Sequence, residues 1–341
     1  MGCGTASQSP VSVPSTYASD DPLAPQPLAE PTTLKVGLQA KLEAFGSVLM
    51  ADYLGEFKKE NLNVEISVVP PNEATLLLEK QHLDVIAAGG NAGAYNLLAA
   101  GSSLRLVFPL AARPEDSTAG IYINEKAFDK PLQDLNARDF VGKTVSIPYA
   151  AGGTGSAAFW SWLEKLPGGE GISPKDLTWE QLDPPSTSVA LINGAIAVGW
   201  ISPPNDVQIA SANCCKLLDD ASKAVPVSGY GIGSSLKERG DVTEAFVRAL
   251  ARTTRDHLTG DYRSKPDLAV AFPKVLGIQE SAWRQTAKVN YDPKMKMDIS
   301  HVIDSQKMWR EAGLLRYEKD LTSNDAYDPS FLEKLGYPQD H

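Results

Sequence analysis

The sequence is poor in the residue types that most often carry catalysis or bind metals. Its 341 residues include three cysteines and four histidines, too few for a disulfide framework and without the spacing of a metal site. The histidines are scattered, so no Ser/His/Asp or Cys/His set can be assembled around them; they are His82, His257, His301 and His341. We therefore predict that the chain is not an enzyme and holds no metal and no cofactor.

Long apolar runs and an excess of positive charge are also missing. No apolar run approaches the roughly 18 to 20 residues that a bilayer-spanning helix needs. Acidic residues outnumber basic ones by 42 to 32, which gives a net charge of −10. This balance argues against nucleic-acid binding and against a basic membrane-facing surface. With 43% hydrophobic residues, the chain can still bury a large core, which we expect to form two lobes.

Two of the cysteines, Cys214 and Cys215, are neighbours in the chain. A bond between adjacent cysteines requires strained geometry. We therefore expect two small, unbonded residues near the end of a helix or in a strand.

The first 31 residues lack the pattern of a folded segment. They are rich in Ser, Thr, Pro and Ala with scattered acids, which predicts a disordered tether over residues 1–31. The start has no charged and apolar regions of a signal peptide, and Ala6 stands where a myristoylation signal requires Ser or Thr. A cysteine heading a polar tether resembles the mature start of a bacterial lipoprotein, which implies that Cys3 is acylated. An incidental cysteine is the alternative.

Strand and helix patterns alternate after residue 31. A strand over residues 34–38 leads to Gln39 and Lys41, at the strand end where an open α/β sheet meets its ligand. Helical periodicity follows over residues 43–62. A strand over residues 83–87 leads into a turn of two glycines, Gly90 being the second, with Asn91 suited to cap the next helix. This rhythm predicts mostly parallel sheets flanked by helices.

Residues 144–158 are the most informative stretch. A short β-branched strand is followed by a loop of small residues and then by a helix pattern. The start of a helix presents unpaired N–H groups and the positive end of the macrodipole, so it can hold an anion without a charged side chain. Thr154 and Ser156 would add hydroxyl donors, and Gly153 and Gly155 would let a ligand approach the backbone closely.

Two other interpretations of this loop remain open. Gly153-x-Gly155-x-x-Ala158 also matches a dinucleotide-binding fingerprint. The genuine motif usually opens its domain, whereas more than a hundred residues precede this one. The loop could also be a connection that binds nothing, because Gly/Ser loops often only turn the chain.

The order of elements resembles the solute-binding proteins of bacterial ABC importers, in the branch that takes up sulfonates, taurine, nitrate and thiamine-precursor pyrimidines. The resemblance covers about residues 33–312 and rests on four places, at residues 36–39, 83–86, 141–148 and 189–200. It implies an α/β chain with the two-lobed type II periplasmic binding protein fold, with hinge crossings near residues 110–117 and 221–230. The implied lobes are 32–112 with 228–341 (lobe I) and 113–227 (lobe II).

The resemblance also implies a ligand site between the lobes. No arginine is placed convincingly for a bidentate clamp on a sulfonate or nitrate, Arg113 near a hinge being the single candidate. The aromatic residues would suit a planar solute equally well. The ligand-binding candidates are Gln39, Lys41, Gly90, Asn91, Tyr149, Gly153, Thr154, Gly155, Ser156, Trp200 and Tyr230.

The resemblance implies that the protein is a monomeric, extracytoplasmic lipoprotein. It would be anchored through Cys3 at the cell surface or in a periplasm. It would capture a small organic anion, sulfonate-like or aromatic, and deliver it to an ABC permease and its ATPase. A thiamine-precursor pyrimidine is the alternative solute. Pyrimidine-synthesising enzymes of similar fold use a Cys-rich motif, whereas Asn213-Cys214-Cys215-Lys216 has only two cysteines. A tethered sensor or scaffold without transport would share the fold.

Overall fold

The computed structural model describes residues 17–18, 20–88, 90–297 and 300–339. Cys3, with its predicted lipidation, and most of the predicted tether lie outside these residues. Over the described residues the strands are β1 Thr32–Leu38, β2 Leu62–Val68, β3 Val85–Ala88, β4 Arg105–Pro109, β5 Gly120–Asn124, β6 Thr144–Ser146, β7 Thr178–Glu180, β8 Val198–Ile201, β9 Cys215–Leu217 and β10 Gly229–Ile232.

Helices cover the faces of the sheets and make up most of the chain after β10. Their bounds are α1 Gly46–Tyr53, α2 Pro71–Glu79, α3 Ala92–Ala99, α4 Thr154–Leu163, α5 Pro184–Ile192, α6 Asp206–Ala212, α7 Asp219–Lys223, α8 Ser234–Lys237, α9 Gly240–Thr253, α10 Pro266–Leu276, α11 Glu280–Gln285, α12 Ser300–Glu311, α13 Ser323–Ala326 and α14 Ser330–Lys334.

The strands form two five-stranded sheets of matching design. The first has the order β2-β1-β3-β10-β4 and the second the order β7-β6-β8-β5-β9. In the first sheet only β10 runs antiparallel to its neighbours, and in the second only β5 does so. In each sheet the antiparallel strand is the one that the chain enters directly after leaving the other sheet: β5 follows β4, and β10 follows β9. The prediction of two mixed, mostly parallel sheets flanked by helices is therefore confirmed.

The chain crosses between the sheets twice, after β4 and again after β9. Arg113, on the first crossing, donates from Nε to the Ala119 carbonyl at 2.6 Å and from Nη2 to the Ser117 carbonyl at 2.6 Å. The same Nη2 lies 2.9 Å from Oδ1 of Asp219, which follows β9. This guanidinium therefore ties the two crossings together, and these partners occupy the arginine that we considered for clamping an anion.

A continuous apolar core joins the two sheets. One cluster of buried residues contains Leu83 and Ile86 beside the first sheet, Ile121 and Val145 in the second, and Trp309 of α12. A second cluster lies between the first sheet and the helices α1, α9 and α10. Burial of apolar surface therefore holds the sheets against each other as well as to their own helices.

The predicted helix over residues 43–62 is wrong in its extent. Only α1 is α-helical, and a 3-10 turn at Lys58–Glu60 follows it. Gly55 adopts a left-handed conformation with φ of +76°, which the regular helix does not allow. The apolar periodicity continues past this break because the turns after it still face the core.

The predicted tether is also wrong for its described end. Leu23 is fully buried, and its carbonyl accepts a hydrogen bond from Nη1 of Arg252 at 2.8 Å. Further along, Leu28 N–H donates to the Glu60 carbonyl at 3.1 Å. We call residues 20–28, together with Glu56, Glu60, Arg248 and Arg252, the N-terminal clasp. The composition of residues 20–28 hides this packing because the segment contacts the rest of the clasp mainly through main-chain groups.

The expectation of two unbonded cysteines is wrong as well. A disulfide joins Cys214, in the turn after α6, to Cys215, the first residue of β9. Asn213 before them adopts a left-handed conformation, with φ of +47°. This tight turn brings the two sulfur atoms together.

Candidate functional site

The loop between β6 and α4 is held in a tight turn that aims the helix start outward. Tyr149 and Ala150 are both left-handed, with φ of +67° and +48°. The Ser156 hydroxyl donates back to the Ala150 carbonyl, so this predicted solute donor instead secures the loop. Gly153 stands at the N-cap in an extended conformation and offers no side-chain cap. The first N–H groups of α4 therefore need an acceptor from elsewhere.

That acceptor comes from the other sheet. The Thr154 N–H donates to the Gly90 carbonyl at 3.2 Å, and Asn91 forms an antiparallel β-bridge with Gly153. Both loops follow the carboxyl ends of parallel strands, β3 and β6, which is where α/β sheets meet ligands. We call this contact between residues 90–91 and 153–154 the junction.

The two helix starts at the junction differ in their capping. Asn91 is the N-cap of α3, and its Oδ1 accepts from the Ala94 N–H at 2.9 Å. The cap of α4 is a glycine, and the Gly90 carbonyl takes the place of a cap side chain. The start of α3 is thus satisfied within its own segment, whereas that of α4 depends on its partner loop.

A side-chain hydrogen bond crosses the junction beside these main-chain contacts. Nε2 of Gln39, after β1, donates to the hydroxyl oxygen of Tyr149. Both side chains are half-buried. The sequence predicted each residue separately as a ligand contact, and the structure brings the two together.

Glycines allow the main chains to approach this closely. A Cβ on Gly153 would lie 2.2 Å from the Pro148 carbonyl oxygen. A Cβ on Gly90 would lie 2.7 Å from Cγ1 of Val302 and 2.9 Å from Cγ2 of Thr154. A side chain at Gly153 would therefore distort its own loop, and one at Gly90 would displace Val302 or Thr154 at the junction.

Three other candidates lie in different surroundings. Lys41 is exposed, and Trp200, on β8, donates from Nε1 to the Ser202 hydroxyl at 2.8 Å. Tyr230 is fully buried in the core of the first sheet, where burial raises the pKa of its hydroxyl. That hydroxyl accepts from Oγ of Ser47 at 3.0 Å. These placements favour packing and structural roles for Trp200 and Tyr230.

Sequence reasoning missed the residues that the C-terminal part of the chain brings to the junction. Val302 packs against Gly90 and Thr154, and Leu314 lies 3.8 Å from the position that a Cβ on Gly152 would take. Both are about 150 residues away along the chain from the loop that they cover. Val302 lies on α12, which carries an ordinary amphipathic pattern, and Leu314 follows that helix, so the sequence contains no local signal for this contact.

Two negative findings concern the described part of the chain. Within it, no His, Cys, Asp or Glu side chains gather in a group of three that could bind a metal ion. None of its helices combines the length and the apolar character that crossing a membrane would need.

The fold is similar to that of solved binding proteins. The alkanesulfonate-binding protein SsuA from Xanthomonas axonopodis pv. citri, bound to MOPS, aligns with a TM-score of 0.60 and 16% identity, over 88% of this chain and 99% of that chain. The aliphatic sulphonate-binding SsuA from Escherichia coli gives a TM-score of 0.58 and 15% identity, over 87% and 98%. The nitrate-binding NrtA from Synechocystis PCC 6803 gives 0.59 and 11%, over 92% and 87%.

No protein-family model and no curated protein matches the sequence. The structural similarity covers nearly the whole length of each compared protein, at identities between 11% and 16%. The chain therefore has the fold of the periplasmic binding proteins, as the order of its elements predicted.

Proposed function

We propose that this chain is the extracytoplasmic solute-binding component of an ABC importer. It captures a small organic anion between its two sheets and delivers it to a permease and its ATPase. The observation that carries the proposal is the uncapped start of α4, where the Thr154 N–H takes its acceptor, the Gly90 carbonyl, from the opposite sheet. A helix start that accepts an oxygen from elsewhere in the chain can accept the oxygen of an anion in the same way.

In this mechanism a solute oxygen replaces the Gly90 carbonyl oxygen at the Thr154 N–H. The Gln39 amide and the Tyr149 hydroxyl, which bond each other at the same place, exchange that bond for bonds to the solute. The positive end of the α4 macrodipole adds to the attraction, so the site needs no arginine.

The exchange of acceptors requires the two halves to separate and return. The two crossings, tied to each other through Arg113 and Asp219, are the natural hinge for this movement. Solute contacts that exist only when the halves are closed then drive the closure.

We favour a sulfonate-like organic anion as the solute. Proteins of the same fold are named as alkanesulfonate-binding, aliphatic sulphonate-binding and nitrate-binding, and these names also support binding over catalysis. A thiamine-precursor pyrimidine is the second candidate, favoured by the half-buried Tyr149 ring beside the Gln39 amide. A phenol and a carboxamide together can donate to and accept from a neutral heterocycle.

Anchoring through an acylated Cys3 completes the proposal, because a tethered binding protein stays near its permease. We expect the protein to be a monomer. When the full chain is expressed in a bacterium behind a secretion signal of that bacterium, it should incorporate a radiolabelled fatty acid. A Cys3→Ser variant should lose the label and leave the membrane fraction. Equal labelling of both proteins would contradict the anchor.

The central experiment is a thermal-shift screen against sulfonates, nitrate, aromatic carboxylates and pyrimidines. The Gly155→Val variant should lose the shift that a true solute produces, because a Cβ there already lies 3.0 Å from Cγ2 of Ile147. Gly240→Val at the start of α9, where a Cβ meets open space, is the matched control. Small-angle scattering on the wild type should show compaction with the same solute. A solute that stabilises both variants equally would contradict the site.

A further inference from the structure

The start of α12 places a buried aliphatic side chain against the junction. Val302 is 2% exposed. Its Cγ1 lies 2.7 Å and its Cγ2 3.2 Å from the position that a Cβ on Gly90 would take, and Cγ2 of Thr154 lies 2.9 Å from the same point. Val302, Gly90 and the Thr154 methyl group therefore meet at one place.

Contacts with both halves fix α12 in this position. On the side of the first sheet, the Trp309 ring packs edge-on against Tyr95 of α3, with ring centroids 5.2 Å apart. After α12, the Leu314 carbonyl accepts from Nδ2 of Asn96 at 2.8 Å. On the side of the second sheet, α12 packs along α4, and Nζ of Lys307 lies 3.6 Å from Oε1 of Glu164. Val302 is thus a fixed surface rather than a mobile side chain.

The hydrogen bond from Thr154 shows where a bound oxygen would lie. It would take the place of the Gly90 carbonyl oxygen, and the group that carries it would then lie beside the methyl groups of Val302 and Thr154. An apolar wall at that distance fits an alkyl or aryl carbon and sets a limit on its size.

We propose that Val302 is a specificity-determining residue of this site, a wall that limits the size of the organic group attached to the bound anion. The inference rests on the proposed function, and it names α12 as a third contributor to the site beside the two sheets. Enlarging the space at residue 302 should favour longer solutes, and reducing it should favour shorter ones.

Isothermal titration calorimetry of the full chain with straight-chain sulfonates, from methanesulfonate to hexanesulfonate, tests this. The measured quantity is the ratio of the Kd for pentanesulfonate to the Kd for methanesulfonate. In Val302→Ala the ratio should fall about tenfold, since a pocket discriminates by roughly that factor for each methylene. In Val302→Ile it should rise. Val270→Ala on α10, a valine 62% exposed, is the matched control and should leave the ratio unchanged.

Two failures can be told apart. If the wild type binds the sulfonates and Val302→Ala binds them with an unchanged ratio, the inference about Val302 is wrong and the proposed function stands. If the wild type binds none of the sulfonates, nitrate, aromatic carboxylates or pyrimidines, the proposed function itself fails. Thermal unfolding of each variant comes first, and Val302→Ala decides the question if the larger isoleucine prevents folding.

Discussion

Two regions of this molecule are held together by opposite chemistry. In the N-terminal clasp, buried guanidinium groups donate charge-assisted hydrogen bonds both to carboxylates and to main-chain carbonyls of the N-terminal segment. At the junction, main-chain groups and one pair of neutral side chains make the contacts. Both regions join segments that are far apart in the sequence, so the difference lies in how strongly each pair of segments is held.

The clasp is built as a permanent attachment. Arg252 is fully buried and donates to Oε2 of Glu56 at 2.6 Å and to Oε1 of Glu60 at 2.7 Å. Arg248 donates from Nη2 to the other oxygen of Glu60 at 2.8 Å and to the Gln26 carbonyl at 3.1 Å. Every group in such a network depends on the others, because a buried charge that loses its partner is costly.

The junction, in contrast, consists of contacts that water or a solute can replace. A main-chain hydrogen bond such as that from Thr154 to Gly90 contributes only about 0.5 to 1.5 kcal/mol in net terms, because each group finds another partner when it is broken. The comparison teaches that this chain holds its N-terminal segment through buried charges, whereas the polar contacts at its junction are individually weak. That arrangement suits a protein that opens and closes around a solute.

The largest expected effect lies in the clasp. Arg252→Met should lower the free energy of unfolding by about 3 to 5 kcal/mol, since it leaves Glu60 buried with an incomplete set of partners. Urea denaturation measures it. The matched control is Arg284→Met on α11, whose guanidinium and partner Glu280 are both about half exposed and which should cost less than about 1 kcal/mol. Equal losses in the two variants would contradict the distinction between the buried ion pairs of the clasp and an exposed ion pair.

The second effect is the pH dependence of the clasp. Burial alone would raise the pKa of the Glu56 carboxyl, but contacts with His257, Lys59 and Arg252 outweigh it and lower the pKa to about 2. The unfolded carboxyl titrates near 4.5. The stability that Glu56 contributes is therefore complete above pH 4.5 and is lost as the pH falls toward 2.

Urea denaturation at several pH values between 7 and 2.5 checks this. The difference in unfolding free energy between the wild type and Glu56→Gln should be largest at neutral pH and should shrink below pH 4.5. A wild-type advantage at Glu56 that persists undiminished at pH 2.5 would be evidence against the lowered pKa.

The third effect concerns the close packing of main chain within the loop that brings Gly153 to the junction. Gly153→Ala places a Cβ 2.2 Å from the Pro148 carbonyl oxygen, and backbone must shift to relieve the overlap. We expect a loss of about 1 to 3 kcal/mol. Its neighbour Gly152 is the matched control, because a Cβ there meets its nearest atom, Cβ of Ala92, at 3.6 Å. Gly152→Ala should change stability by no more than about 0.5 kcal/mol, and similar values for both variants would refute the crowding.

Much of the fold could be predicted from the sequence because its signals are local. The strand endings, the glycine loops after β3 and β6 and the cap at Asn91 all follow from short stretches of chain. The two-lobed architecture followed from their order. The pairing of Gln39 with Tyr149 did not, because it depends on how the two sheets meet.

What the sequence did not predict depends on distant partners. The clasp was missed because the small and polar residues around Leu23 suggest no core. The arginines that bind the main-chain carbonyls of Leu23 and Gln26 come more than 200 residues later in the chain. Tyr230 was assigned to the site from its position in the sequence, whereas the structure buries it fully, with its hydroxyl bonded to Ser47. Val302 was missed because helical periodicity identifies a buried face without identifying what the face contacts.

The smallest effect tests the difference between the two helix starts within the junction. Asn91→Ala should destabilise the protein by about 1 kcal/mol, because the Ala94 N–H loses its acceptor at the start of α3. Asn91→Asp retains an acceptor oxygen and adds a charge favourable to the helix macrodipole, so most of the stability should remain. Thermal unfolding of the two variants distinguishes them. If aspartate and alanine are equally destabilising, the side chain does not act as a cap, and the start of α3 would depend on its partner loop as that of α4 does.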